Sequence, residues 1–182
     1  MQKKQTKIKK LTVMAALTAS ALIVFVIELQ VPLPIPVPGA KLGLANTFTL
    51  FALFYSKRYG GSELSLTTAN AFEILICRIL LGAIFTGRFV ALAMSLSGGI
   101  LAFIIMAVTK RYLSDKQIWV SGALGAIFHN IGQIAAAILI IGTPAIAAYL
   151  PILTIIGIIT GTITGLITQV VLGRIKIQSS YH

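Results

Sequence analysis

Six apolar runs, separated by short polar or basic segments, make up most of the chain: residues 11–27, 42–56, 64–84, 89–109, 118–141 and 151–172. Runs of this length and character predict membrane-crossing helices, because about 20 apolar residues in a helix match the hydrocarbon thickness of a bilayer. The first, Leu11 to Ile27, would make roughly 25 Å of helix, close to the lower limit for spanning. It ends in Glu28-Leu29-Gln30 and then prolines, not in the small-residue site of a cleaved signal peptide, so it reads as a retained span. The second run is short, and is expected to tilt less than the others or to be partly re-entrant. Between the fifth and sixth lies Gly142 to Leu150, whose Gly-Thr-Pro start is a helix stop. The expected fold is an all-α integral membrane protein, a bundle of six transmembrane helices in a single membrane domain (11–173). A basic segment (1–10) precedes it and a short tail (174–182) follows.

The basic residues supply an orientation. Short cytoplasmic loops carry an excess of Lys and Arg. With the N-terminus inside, that face holds Lys3, Lys4, Lys7, Lys9, Lys10, Lys57, Arg58, Lys110, Arg111, Lys116, Arg174 and Lys176. The outer face holds only Lys41 and Arg88, and Arg78 falls within a span. An odd number of spans would scatter these clusters over both sides. The pattern therefore predicts an even number, both termini in the cytoplasm and a multi-pass protein of the cell membrane.

Composition narrows the function classes. The 182 residues are 57% apolar and 10% charged, with mean hydropathy +0.96, whereas about a quarter of the residues in a soluble domain are charged. A net charge of +11 would suit a nucleic-acid ligand, but the cations are scattered between apolar runs with no basic face. A lone cysteine, Cys77, says nothing about redox compartment. Motifs for hydrolytic or redox chemistry are lacking: no Walker A loop, no His-Glu-x-x-His, no Cys-x-x-Cys, no Gly-x-Ser-x-Gly. With one aspartate, Asp115, no aspartate-rich magnesium-diphosphate site can form. The expectation is a protein that is not an enzyme, has no bound metal and no ATPase of its own.

Two local patterns stand out. In the first outer loop Pro32, Pro34, Pro36 and Pro38 alternate with aliphatic residues. Each proline fixes its own φ and extends its predecessor, so the segment is a stiff apolar strip. It serves either as an interfacial connector or as a lid over an outward-opening pocket. Small residues at four-residue spacing mark close helix contacts: Gly157, Gly161, Gly165 and Gly173 in the last span, Ala91, Ser95 and Gly99 in the fourth, Ser121 and Gly125 in the fifth, Ala15 and Ala19 in the first. The first-span pair lies near the inner leaflet, where a partner could dock.

Polar residues inside spans are costly, by about 2.5–3.5 kcal/mol for a charge even on lenient insertion scales. Counting along the runs puts Glu73, His129 and Asn130 near mid-span, with Arg78 and Gln133 somewhat further out. Asn46 reaches a comparable depth from the second span. Glu73 and Arg78 are five residues apart, about 140° around a helix, so each needs a partner elsewhere. His129 and Gln133, at i and i+4, share a face. This convergence is either a buried network that fixes helix register or a solute site.

Several segments taken together carry a resemblance: Glu28 to Asn46 with its proline alternation, Arg78-Ile-Leu-Leu-Gly82, Ser97-Gly-Gly99, and Gly125-Ala-Ile-Phe-His-Asn-Ile-Gly-Gln133. In these the sequence is similar to the Gx transporter family, also filed as heptaprenyl diphosphate synthase component I. That family resembles the substrate-binding (S) components of energy-coupling-factor transporters. The resemblance implies a six-helix protein whose first outer loop covers a pocket in the outer half. It also implies a first helix whose Ala-x-x-x-Ala pattern, matched by Ala15 and Ala19, meets a transmembrane coupling subunit, with separate ATPases supplying energy. Some relatives are associated with quinone synthesis or flavin-based extracellular electron transfer.

Three readings follow. The first is a small-solute-binding transporter subunit using Asn46, Glu73, Arg78, His129, Asn130 and Gln133 under the proline loop. The second is a quinone- or flavin-linked membrane component with redox or prenyl-synthase partners. The third is a structural partner that binds nothing. None requires a resident cofactor, although a quinone or flavin could be the ligand.

Overall fold

A computed structural model describes residues 2–30, 41–58 and 66–175, with side chains from residue 5 onward. The proline loop with Pro32, Pro34, Pro36 and Pro38 lies outside the described residues. Six helices follow in order: α1 (Gln2–Glu28), α2 (Asn46–Arg58), α3 (Thr68–Thr86), α4 (Phe89–Tyr112), α5 (Ile118–Ile141) and α6 (Leu150–Arg174). Short 3-10 turns at Asp115–Gln117 and Pro144–Tyr149 lead into α5 and α6. No strand occurs among the described residues.

Five of the helices are long and apolar enough to cross a membrane. The exception is α2. Its 13 residues reach roughly 20 Å, short of a hydrocarbon core of about 30 Å. It starts at Asn46 rather than at 42, because Gly43 sits at φ 79°, a left-handed geometry that ends any helix. Likewise α3 starts at Thr68, not 64. Thr67 caps it reciprocally with Asn70, the Thr67 hydroxyl accepting from the Asn70 N–H and the Asn70 side chain accepting from the Thr67 N–H. Gly87 and Gly142, both left-handed, close α3 and α5, the second at the stop expected from its Gly-Thr-Pro context.

What lies outside the bundle is apolar. On α6, Ile155, Ile159, Ile163, Ile167 and Val170 face outward. In water this surface would drive aggregation; in lipid it costs nothing. Helix association then depends on close packing, and glycine supplies it. A Cβ on Gly161 would lie 2.8 Å from the Ala126 Cβ, and one on Gly132 would lie 2.7 Å from the Gly98 Cα. α5 is thus sandwiched tightly between α4 and α6. Gly157, Gly161 and Gly165 form this stripe, but Gly173 does not: it is exposed, with open space around it. Eight residues past Gly165, it has drifted about 80° round the helix.

Two apolar cores bracket a polar middle. One lies toward the basic end and includes Leu50, Leu53, Phe54, Ile74, Met106, Ile118 and Leu172. The other, of Met94, Ile134, Ala137 and Leu153, lies toward the opposite end. At the basic end Lys110 Nζ donates to Ser56 Oγ at 2.7 Å and to Thr68 Oγ1 at 3.1 Å, and Lys57 Nζ donates to the Leu113 carbonyl at 2.5 Å. These bonds bring the C-terminal ends of α2 and α4 together with the start of α3.

Candidate functional site: a clamped polar cluster in the bundle

Residues 41–45 are not helical, yet Lys41 and Ala45 are buried. Non-helical backbone at membrane depth survives only where protein satisfies its N–H and C=O groups. Here identifiable side chains do so. Gln133 in α5 meets Lys41 twice, its Oε1 accepting from the Lys41 N–H at 3.0 Å and its Nε2 donating to the Lys41 carbonyl at 3.0 Å. Glu28, the last residue of α1, accepts from the N–H groups of Gly43 and Leu44 through one carboxylate oxygen. The carbonyls of Gly43 and Leu44 accept from the N–H groups of Asn46 and Thr47, which starts α2. The segment is therefore held from α1 on one side and α5 on the other.

The side chains beneath it form a chain of hydrogen bonds. Arg78 Nη2 in α3 donates to Asn46 Oδ1 at 2.9 Å. This orients the amide, so Asn46 Nδ2 donates to His129 Nδ1 in α5 at 3.2 Å. With the amide so oriented, Nδ1 acts as the acceptor and the ring proton is assigned to Nε2. Neither His129 Nε2 nor Arg78 Nε has a hydrogen-bond partner, although both are buried. Asn130 turns toward α6, donating to the Leu153 carbonyl at 2.6 Å. Lys41 Nζ donates to Ser95 Oγ in α4 and rests 4.1 Å from the centroid of the Phe25 ring, a cation–π arrangement.

Glycines make room for these side chains. A Cβ on Gly82 would come within 2.7 Å of the Phe25 ring, and one on Gly98 within 2.9 Å of His129 Nδ1. A Cβ on Gly157 would collide with Asn130 Nδ2. Gly82 and Gly98 thus leave room for the cluster, whereas Gly99 packs against Ile79 and Leu75. Beside the cluster, a cleft lined by Gly43, Asn46, Gly122, Gly125, Gly161 and Thr164 has a free volume of about 10 Å³, room for about one water molecule. The polar groups are packed against one another and against residues 41–45 rather than set round an open chamber.

Of the six side chains expected at the site, Asn46, Arg78, His129, Asn130 and Gln133 come together, all buried. Glu73 does not join them. It is exposed and accepts from Asn70 Nδ2 at 3.0 Å on its own helix. Because α3 starts four residues later than its apolar run, Glu73 sits in the second turn rather than at mid-span. Ala15 and Ala19 are exposed on α1.

Sequence reasoning missed Glu28, Lys41 and Ser95. Lys41 was expected on the outer face; it is 4% exposed, as is Glu28. The available signal was context: each is a single charge set in an otherwise apolar stretch, where a solvated loop would carry several. Among the described residues no three His, Cys, Asp or Glu side chains gather as a metal site.

Long apolar helices round a clamped polar core define a multi-pass membrane protein. The family described as heptaprenyl diphosphate synthase component I matches residues 17–171, and the chain belongs to it. This is the Gx, S-component-like family anticipated from the motifs. Comparison with curated proteins and with solved structures gives no match.

Proposed function

We propose that the protein is the membrane-embedded solute-binding subunit of a multi-component system, with six crossings of the bilayer, one of them made by α2 together with residues 41–45, and both termini in the cytoplasm. The observation that carries this reading is the pair of buried donors, Arg78 Nε and His129 Nε2, without partners in a cluster where other polar groups are bonded. A network that served only to fix helix register would satisfy its members, since an orphaned buried donor costs about 1–3 kcal/mol. A guest that accepts from both recovers that cost. The segment 41–45 is the natural gate, because two side chains, Gln133 and Glu28, hold it by a few hydrogen bonds. The structure then corresponds to the closed form, and the ligand enters from the outer side as the segment lifts.

The family's description as one component of a synthase favours a partner subunit, which would carry any catalysis or energy input. The exposed Ala15 and Ala19 on α1 offer a flat face for such a partner. The test is direct. Protein purified from membranes in mild detergent is extracted and its small molecules are identified by mass spectrometry, beside a folded Asn46→Ala/Gln133→Ala variant. A solute, quinone or flavin retained stoichiometrically by the wild type and lost from the variant supports the reading. Identical extracts from both refute it.

A further inference from the structure

The solute-binding reading leaves the ligand's chemistry open, and the cluster's charges and free valences close it. Resting on that reading, we infer that the site is built for a small organic oxyanion, a carboxylate or a phosphate monoester.

The argument starts with charge. The buried cluster contains two basic side chains, Lys41 and Arg78, and one acid, Glu28. Glu28 interacts electrostatically with both, but among the described residues the one ion pair within 4.0 Å is Arg58 with Asp115, at the basic end of the bundle. Lys41 and Glu28 together contribute zero, whether both are charged or a proton has passed from one to the other. Arg78, which stays protonated in proteins, therefore leaves the cluster at +1. An uncompensated charge in a low-dielectric interior costs several kcal/mol, and an incoming anion removes that cost.

The hydrogen-bond inventory points the same way. Most acceptors of the cluster are taken: Asn46 Oδ1 by Arg78, Gln133 Oε1 by Lys41, and one of the two Glu28 oxygens by two backbone N–H groups. What remains buried without a partner are donors, Arg78 Nε and His129 Nε2. The His129 donor is fixed by the Asn46 amide, which occupies the other ring nitrogen. A guest offering N–H groups would meet only the second Glu28 oxygen and would add to the positive charge, whereas an oxyanion, with acceptor lone pairs and negative charge, matches both deficits. The anionic headgroup of a membrane lipid would meet the same donors.

The experiment uses full-length wild-type protein in nanodiscs of zwitterionic lipid, with thermal unfolding as readout. The probes are matched sets: benzoate, benzamide and benzylamine; nicotinate and nicotinamide; lipoate and lipoamide; pantothenate and pantothenol; phenyl phosphate and phenol. Stabilisation by one or more acids, with their uncharged and cationic partners inert, is expected; at tenfold over Kd the shift is about 3–5 °C. A second arm replaces part of the lipid by phosphatidylglycerol. If the headgroup rather than a free solute fills the site, that arm alone raises the melting temperature, and the inference of a soluble anion is overturned. Stabilisation by neutral or cationic partners, with their acids inert, overturns the anion inference and leaves solute binding standing. A flat response in all classes and both arms, from folded protein, overturns solute binding itself. An Arg78→Gln variant that folds should lose the acid shift at least tenfold in affinity; full retention would refute the assignment.

Discussion

Replacing Gln133 by alanine removes the clamp on residues 41–45 and nothing else of comparable size. Gln133 is 1% exposed, and its amide closes two 3.0 Å hydrogen bonds with the Lys41 backbone and a longer one with Asn130. A typical buried hydrogen bond contributes about 0.5–1.5 kcal/mol net, and bonds between membrane helices average about 0.6 kcal/mol. Two bonds, with the Lys41 N–H and C=O then stranded, give an expected loss of about 2 kcal/mol. For a chain of this size that corresponds to a fall in Tm of about 4–8 °C. The local effect is more specific. Opening of segment 41–45 should become easier by the same amount, so its amides should exchange with deuterium about tenfold faster or more, while the core of α5 and α6 changes less. Both quantities can be measured on one detergent-solubilised sample by thermal unfolding and by exchange with mass spectrometry. A variant within 1 °C of the wild type, with unchanged exchange in 41–45, would refute the clamp and with it the gate.

Three further outcomes are expected. Gly161→Ala should destabilise by about 1–3 kcal/mol through overpacking against Ala126, whereas Gly173→Ala, in open space, should be neutral or slightly stabilising; thermal unfolding of the pair checks the assignment of the packed stripe. Glu73→Gln should change stability by less than about 0.5 kcal/mol and leave ligand retention intact. Glu28→Ala, which strands the Gly43 and Leu44 N–H groups, should cost about 2 kcal/mol or more; equal behaviour of the two in unfolding curves would overturn the placement of the buried acid. In a Cys77→Ala background, a cysteine at Arg88 should react with a membrane-impermeant thiol reagent in intact cells and one at Lys116 should not, and the reverse pattern would invert the proposed orientation.

The hydrophobic pattern alone was enough to specify a helical membrane protein, because burial in lipid demands long apolar helices and leaves few alternatives. It located the α5 stop, where Gly142 and Pro144 act locally. Five of the six cluster residues were legible for a similar reason: Asn46, Arg78, His129, Asn130 and Gln133 interrupt apolar spans, and such interruptions are too costly to be idle. Glu73 was misread because depth was counted from an apolar run, while the helix begins where Thr67 and Asn70 cap it. Glu28 and Lys41 could not be placed at all from the chain order. They lie at the edge of spans, where a charge is normally solvated, and only the return of residues 41–45 into the bundle buries them. That return depends on Gln133, 92 residues away from Lys41, and no local propensity encodes a bond of that range. Local physics therefore determined which segments are helices and which side chains are expensive; the packing of α1, α4 and α5 round one irregular segment decided which of those side chains meet.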